Sequence, residues 1–168
     1  MNEALAFAFE RVIPGLNAGL WASIGIIVPA ALLGVAIGVT AGTLRVYGGV
    51  WPRRITNCYV SLFRGTPLVV QLYFWYFALP YVSVGGVNLI LSPVQAAIIG
   101  FALCSGAYQS EYIRGGLLSI KRGQLLAAQA LGITPLNCIL SVVLPQAFRR
   151  ALPGCGNEII YLIKYSSL

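Results

Sequence analysis

Charged side chains divide the chain into long apolar runs separated by short basic stretches. Val12 to Thr43 carries none, and Leu16 to Leu44 reads as a membrane-spanning helix, because about 20 apolar residues cover a hydrocarbon core of roughly 30 Å. Arg45, Arg53 and Arg54 follow beside Gly48-Gly49 and Trp51-Pro52, a pattern that predicts a short basic loop. The next uncharged run, Gly65 to Ser110, has 46 residues and is too long for one span. Gly85-Gly86, Asn88 and Ser92-Pro93 interrupt it. Thr66 to Val84 therefore predicts a second span, rising about 28 Å as a helix. Ser92 as a cap with Pro93 at the first helical position predicts a third helix, running to about Ile113.

Gly123 to Phe148 is also uncharged, but Gln124, Gln129, Asn137 and Gln146 make it too polar for a span. Two short helices fit better. The first covers Gly123–Leu131 and closes at Gly132; the second is capped by Thr134 with Pro135 at its first position and stops at Pro145. Basic residues flank this stretch on both sides, which places it at or beneath the membrane surface. A last apolar helix is expected from about Gly156. The thirteen residues from there to Leu168 rise only about 20 Å, so the chain is expected to end inside a membrane helix, as a fragment. Gly34, Gly38 and Gly42 fall on one face of the first span and allow a second helix to approach closely. Either internal packing or a dimer seam would use them.

Composition sharpens the class. Hydrophobic residues make up 58% and charged residues 9% of the 168, against roughly 25% charged in an ordinary soluble domain. That excludes a soluble globule, a disordered tail and a coiled coil. The expectation is one all-α, polytopic membrane domain over 1–168, with about four membrane helices. Histidine is absent, and Cys58, Cys104, Cys138 and Cys155 are scattered without a paired motif. No metal site or catalytic set is implied, and the cysteines read as small apolar fillers. The net charge of +7 marks inner loops rather than a nucleic-acid partner. Arg45, Arg53 and Arg54, with the five Lys/Arg between 114 and 150, outweigh the N-terminal segment and the uncharged 85–92 loop. The positive-inside rule then puts the N-terminus outside and the 114–155 segment in the cytoplasm.

Ionisable residues inside spans are candidates for function, since burying one is unfavourable by roughly 2.5–3.5 kcal/mol at the core centre. Glu111 and Arg114, three apart on one helix face, read as a structural pair. Lys164 lies about 12 Å into the last helix. It either meets a substrate carboxylate, snorkels, or pairs with a carboxylate such as Glu111. Arg64 at the start of the second span reads as an interfacial anchor.

Specific motifs add a family resemblance. Gly123 to Gly132, followed by nine residues and Val142-Val143-Leu144-Pro145, resembles the EAA loop of ABC importer permeases. That pattern is Glu-Ala-Ala, three residues, Gly, nine residues and Ile-x-Leu-Pro. Ala127, Ala128, Gly132, Leu144 and Pro145 match it at the right spacing. Leu126 stands where the motif has Glu, and Val142 where it has Ile. Phe63 to Gln71, Ser105 to Gly116, Leu144 to Ala147, and Asn157-Glu158 through Ser166-Ser167-Leu168 are similar to the polar amino-acid branch of these permeases.

The resemblance implies a type I ABC importer transmembrane domain with cytoplasmic coupling helices and a fifth membrane helix beyond Leu168. It implies a permease subunit of an amino-acid importer in the bacterial inner membrane, in a homo- or heterodimer of permeases. Its partners would be two ABC ATPase subunits and an extracytoplasmic amino-acid-binding protein. The five motif residues above would contact the ATPase. Ser105, Tyr108, Gln109, Asn157, Tyr161, Lys164 and Ser167 are the polar candidates for the substrate pathway. The chain has no phosphate-cradling Gly-x4-Gly-Lys-Ser/Thr loop, so it is expected to be no enzyme and to need no cofactor, with ATP bound by the partner. A permease for another small polar solute, or a channel or secondary transporter, is the alternative.

Overall fold

The computed structural model describes residues 7–84 and 87–166, within which the chain forms six helices and one small hairpin. Helix α1 (Ile13–Tyr47) is entered through a π-helical segment, Ala8–Val12. Its 35 residues rise about 52 Å, well beyond one hydrocarbon core. Among the described residues, the helix Phe9–Tyr47 is long and apolar enough to cross a membrane by length and composition. The remaining helices are shorter or more polar.

The expected basic loop contracts to a turn at Gly48 and Gly49. Trp51, Pro52, Arg53 and Arg54 instead open a 16-residue helix, α2 (Val50–Gly65). Pro52 sits in its first turn, where a missing N–H leaves no hydrogen bond unmade. The predicted 19-residue second span is also shorter than expected. Thr66 and Pro67 are both extended, as the residue before proline favours, and helix α3 (Leu68–Tyr81) passes through π and 3-10 segments before the chain extends at Val82. Fourteen residues rise only about 21 Å. Strands β1 (Ser83–Val84) and β2 (Val87–Asn88) then pair antiparallel. Gly85 and Gly86, the expected breakers, lie outside the described residues.

Helix α4 (Pro93–Leu118) begins as the sequence predicts. The Ser92 side chain accepts from the Gln95 N–H, and the Gln95 side chain accepts from the Ser92 N–H. It runs five residues past the expected end at Ile113. Helix α5 (Arg122–Ala130) is the first of the two predicted short helices. The second is not short. From Pro135 the chain is helical through a π-helical segment, Ile139–Val143, and on through Leu144–Tyr165, so 135–165 is one helix, α6. Pro145 follows the π segment, whose widened turn already gives up the regular backbone bond that proline cannot make. The separate apolar helix expected from Gly156 is the second half of this rod.

Small residues make the core. Ala30, Gly34, Gly38, Ala41 and Gly42 are the buried positions of α1, whereas Leu16 and Leu32 are 69% and 68% exposed. Large apolar groups outside and small ones between helices suit a bilayer, where close backbone approach rather than water exclusion holds helices together. A Cβ at Gly34 would lie 3.1 Å from Ser105 Oγ, one at Gly38 would lie 2.6 Å from Gln109 Cβ, and one at Gly42 would lie 2.9 Å from Ile113 Cβ. The glycine stripe is therefore an internal seam between α1 and α4. Residues advance together on both helices, so α1 and α4 run parallel. α6 returns antiparallel, with Gly116 against Ala147 and Tyr112 against Gly154. Cys104, Cys138 and Cys155 are buried fillers; Cys58 is exposed.

Candidate functional site

Parallel packing of α1 and α4 brings Arg45, at the end of α1, beside Glu111 of α4. Arg45 Nη2 lies 3.0 Å from Glu111 Oε1, Arg64 Nη1 of α2 lies 2.9 Å from the same oxygen, and Arg114 Nε lies 2.9 Å from Oε2. The expected Glu111–Arg114 pair is present, but it is one third of a hub joining three helices. Arg45 is the most enclosed member, with 11% of its side chain exposed, and it also donates to Asn57 Oδ1 and Ser110 Oγ. Arg64 stands over the Tyr108 ring at 5.3 Å. It is thus a tie to α4 and not only the expected interfacial anchor. Periodicity shows the Arg114 contact because it is local; Arg45 and Arg64 are 66 and 47 residues away in sequence, and no local pattern marks them.

The seven pathway candidates occupy different settings. Ser105 and Gln109 are buried in the α1–α4 seam, where Gln109 Nε2 donates to Ser105 Oγ at 2.9 Å. Gln109 Oε1 has no hydrogen-bond partner among the described residues. Tyr108, one residue away, faces α2 under Arg64. Asn157, Tyr161 and Lys164 follow one exposed face of α6. Lys164 Nζ lies 5.3 Å from the centre of the Tyr161 ring, a cation–π geometry, and Tyr161 stacks on Tyr165 at 6.3 Å. The carboxylate considered for Lys164, Glu111, is engaged by the three arginines. Ser167 lies outside the described residues.

The opposite face of α6 carries Glu158, which is 5% exposed among Cys155 and Leu162. Sequence reading passed over it as a motif residue. The rule that an intramembrane acid is a functional candidate by default would have marked it. Gln71 was likewise missed. Its Nε2 donates to the Phe63 and Thr66 carbonyls and to Thr66 Oγ1, closing the joint between α2 and α3.

At the basic end, α5 and α6 meet at Gly132, which has φ +75°. An added Cβ there would touch nothing within 4 Å, so backbone conformation alone requires glycine. Beyond the turn, Thr134 Oγ1 accepts from the Asn137 N–H, the predicted cap. Gln146 Nε2 donates to Gln124 Oε1 at 2.9 Å and holds α5 against α6. Of the five motif residues, Ala128 is buried, Leu144 is half-buried, and Ala127, Gly132 and Pro145 are exposed.

Comparison with known proteins gives consistent matches. The family model for the binding-protein-dependent transport system inner membrane component matches residues 34–168. A putative glutamine transport system permease protein GlnP of Rickettsia typhi is 42% identical over 139 residues, 83% of this chain and 62% of that protein. The glutamine transport system permease protein GlnP of Escherichia coli is 40% identical over 161 residues, 96% of this chain and 70% of that protein. The chain thus spans less than two thirds of the rickettsial relative's length. A crystal structure of an amino acid ABC transporter with histidines superposes with a TM-score of 0.78 at 30% identity, covering 96% of this chain and 73% of that one. An inward-facing MetNI methionine ABC transporter gives a TM-score of 0.77 at 23% identity, over 94% and 74% of the two chains, a likeness of fold.

Proposed function

The chain belongs to the family of binding-protein-dependent transport system inner membrane components, and from that premise we propose that it is a permease subunit of an ATP-driven importer of polar amino acids, with glutamine the first substrate to test. It forms the translocation pathway in the bacterial inner membrane with a second permease subunit. ABC ATPase subunits bind on the cytoplasmic side and an amino-acid-binding protein delivers substrate from the other. The coupling segment is 114–155, with its contact surface at 123–145.

What supports this reading is the continuity of α6. Its first turn, capped by Thr134, adjoins the Gly132 corner, and 20 to 30 residues later the same helix carries Asn157, Tyr161 and Lys164. The 31 residues of 135–165 rise about 46 Å. A helix of that length carries a push on Leu144 and Pro145 into the membrane directly, and a push on Ala127, Ala128 and Gly132 reaches it through the Gly132 corner. Ser105, Tyr108 and Gln109 on α4, with the α6 face and Ser167, are the proposed pathway groups. Two parallel helices must enter from the same side, and the end where both finish holds Arg45, Lys121, Arg149 and Arg150. The N-terminus is accordingly outside.

Membrane vesicles holding the full-length permease, its ATPase subunit and its binding protein should take up radiolabelled glutamine only with ATP. Uptake that persists without the ATPase subunit would identify a channel or secondary transporter. Orientation is checked separately, in a Cys58→Ser background because Cys58 is exposed. An impermeant maleimide added outside should label Ile90→Cys, at a site 76% exposed, and miss Gly123→Cys. The opposite labelling pattern rejects the orientation and the coupling assignment with it.

A further inference from the structure

A groove of 470 Å³ runs between α1 and α2, walled by Ile37 and Leu44 of α1, Ile55 of α2 and Leu103 of α4. Its lining extends from Ala36 to Leu44, about 12 Å along the α1 axis. Three polar side chains also line it, and each has already given its hydroxyl proton to a backbone carbonyl: Thr40 to Ala36 at 2.8 Å, Thr56 to Pro52 at 2.7 Å and Tyr59 to Leu103 at 2.6 Å. The groove therefore presents an apolar surface with no hydroxyl donor left for a polar solute.

Its inner end is strongly basic. Arg53 Nη2 donates to the Val46 carbonyl at 3.1 Å, which holds the first turn of α2 beside the end of α1, two residues past Leu44. Arg54 stands 6.0 Å from the centre of the Trp51 ring. Both arginines are exposed, and among the described residues neither forms a salt bridge. No acid occurs anywhere from Val12 to Ser110, and Glu111 is already shared by three guanidiniums. No side chain caps the start of α2, so its first N–H groups add the positive end of a helix dipole. Trp51, 72% exposed here, is a residue type that settles at headgroup level. An apolar channel along the helix axis that ends in two unpaired cations complements an amphiphile with a negative head.

We propose that this groove holds one anionic phospholipid, with an acyl chain along Ile37, Leu44 and Ile55 and its phosphate on Arg53, Arg54 and the open first turn of α2. The lipid covers surface shared by α1 and α2 and fastens the polar helix α2 to the bilayer. The orientation argued above puts the head in the inner leaflet, but binding depends neither on that orientation nor on transport.

The test incubates the full-length permease in detergent with an equimolar mixture of phosphatidylglycerol and phosphatidylethanolamine of matched chains, and reads retained lipid by native mass spectrometry. Phosphatidylglycerol should be retained over phosphatidylethanolamine by about fivefold or more. Arg53→Gln or Arg54→Gln should lower its retention about fivefold, and the two together more than about tenfold. Lysine at both positions keeps the charges and should retain the lipid, which separates loss of charge from loss of fold. Ala36→Phe, at an exposed position lining the groove, should lower retention by filling the space of the chain. Retention that ignores head-group charge, or that survives either the double glutamine variant or Ala36→Phe, would overturn the proposal. Binding of inorganic phosphate with no lipid retained would assign the arginines to a soluble anion and overturn it as well. A disulfide-linked dimer formed by Ala36→Cys in the Cys58→Ser background would assign the groove to a second permease copy, with the same consequence. Every readout omits the ATPase and the binding protein, so the uptake proposal stands or falls separately.

Discussion

Gly132→Val should bring ATP-driven uptake to background while the protein still inserts and purifies in normal amount. The corner between α5 and α6 needs φ +75° at this residue, and an L-residue held there is disfavoured by about 1–2 kcal/mol, more so when β-branched. Space is open around the position, so valine meets no clash and the chain escapes by turning the corner through another conformation. That re-aims the contact surface relative to the long rod behind it. Asparagine tolerates the left-handed region and should keep a large part of the uptake. Gly132→Asn failing as completely as Gly132→Val, or Gly132→Val transporting normally, would show that the conformation of this corner does not carry the coupling.

Glu111→Gln is expected to reduce stability rather than transport rate. Three guanidiniums share one carboxylate that is 22% exposed, and one of them, Arg45, is 11% exposed. Removing the single anion leaves three cations crowded together; breaking a fully buried pair is unfavourable by about 3–5 kcal/mol, and this one is only half-buried. Exposure of Arg64 and Arg114 lowers the expectation to about 1–2 kcal/mol. Thermal unfolding in detergent, followed by loss of monodisperse protein, should shift to clearly lower temperature. Adding Arg114→Gln removes one of the uncompensated cations and should recover part of the loss. An unchanged unfolding temperature in Glu111→Gln would mean that the hub contributes no net stability.

Local chemistry made much of this molecule legible in advance. Ser92 and Pro93 define a helix start within two residues, and Gly132 followed by Thr134-Pro135 defines a corner and a new cap. The glycine stripe predicted a close approach, although the sequence could not say whether the partner was α4 or another chain. Misreadings arose where proline and glycine were taken as breakers. Pro145, Pro153, Gly154 and Gly156 all lie inside α6: Pro145 falls just after the π-helical segment, where the regular backbone bond is already given up, and packing of α6 along α4 keeps the rest helical. Arg53 and Arg54 looked like a loop for a related reason: α2 is too polar to be a span, yet it forms a helix along α1 and α4. Contacts between distant residues, such as Arg45 with Glu111 or Gln109 with the α1 glycines, leave no periodic trace. For the pathway candidates, a polar residue in an apolar run was visible, but the face it occupies was not.

The parallel seam has a bearing on synthesis. Gly34 and its contact Ser105 are 71 positions apart, so at about 5–20 residues per second the first helix waits roughly 4–14 seconds for the surface that covers it. During that interval its glycine stripe, the part of the helix best shaped for close approach, faces lipid or the insertion machinery with nothing docked on it. Nascent chains are then at their most open to pairing with the wrong helix. Order of emergence matters here as much as final contact: the arginine hub cannot close until Glu111 has left the ribosome, and its closing marks the moment the early and late halves of the chain become one unit.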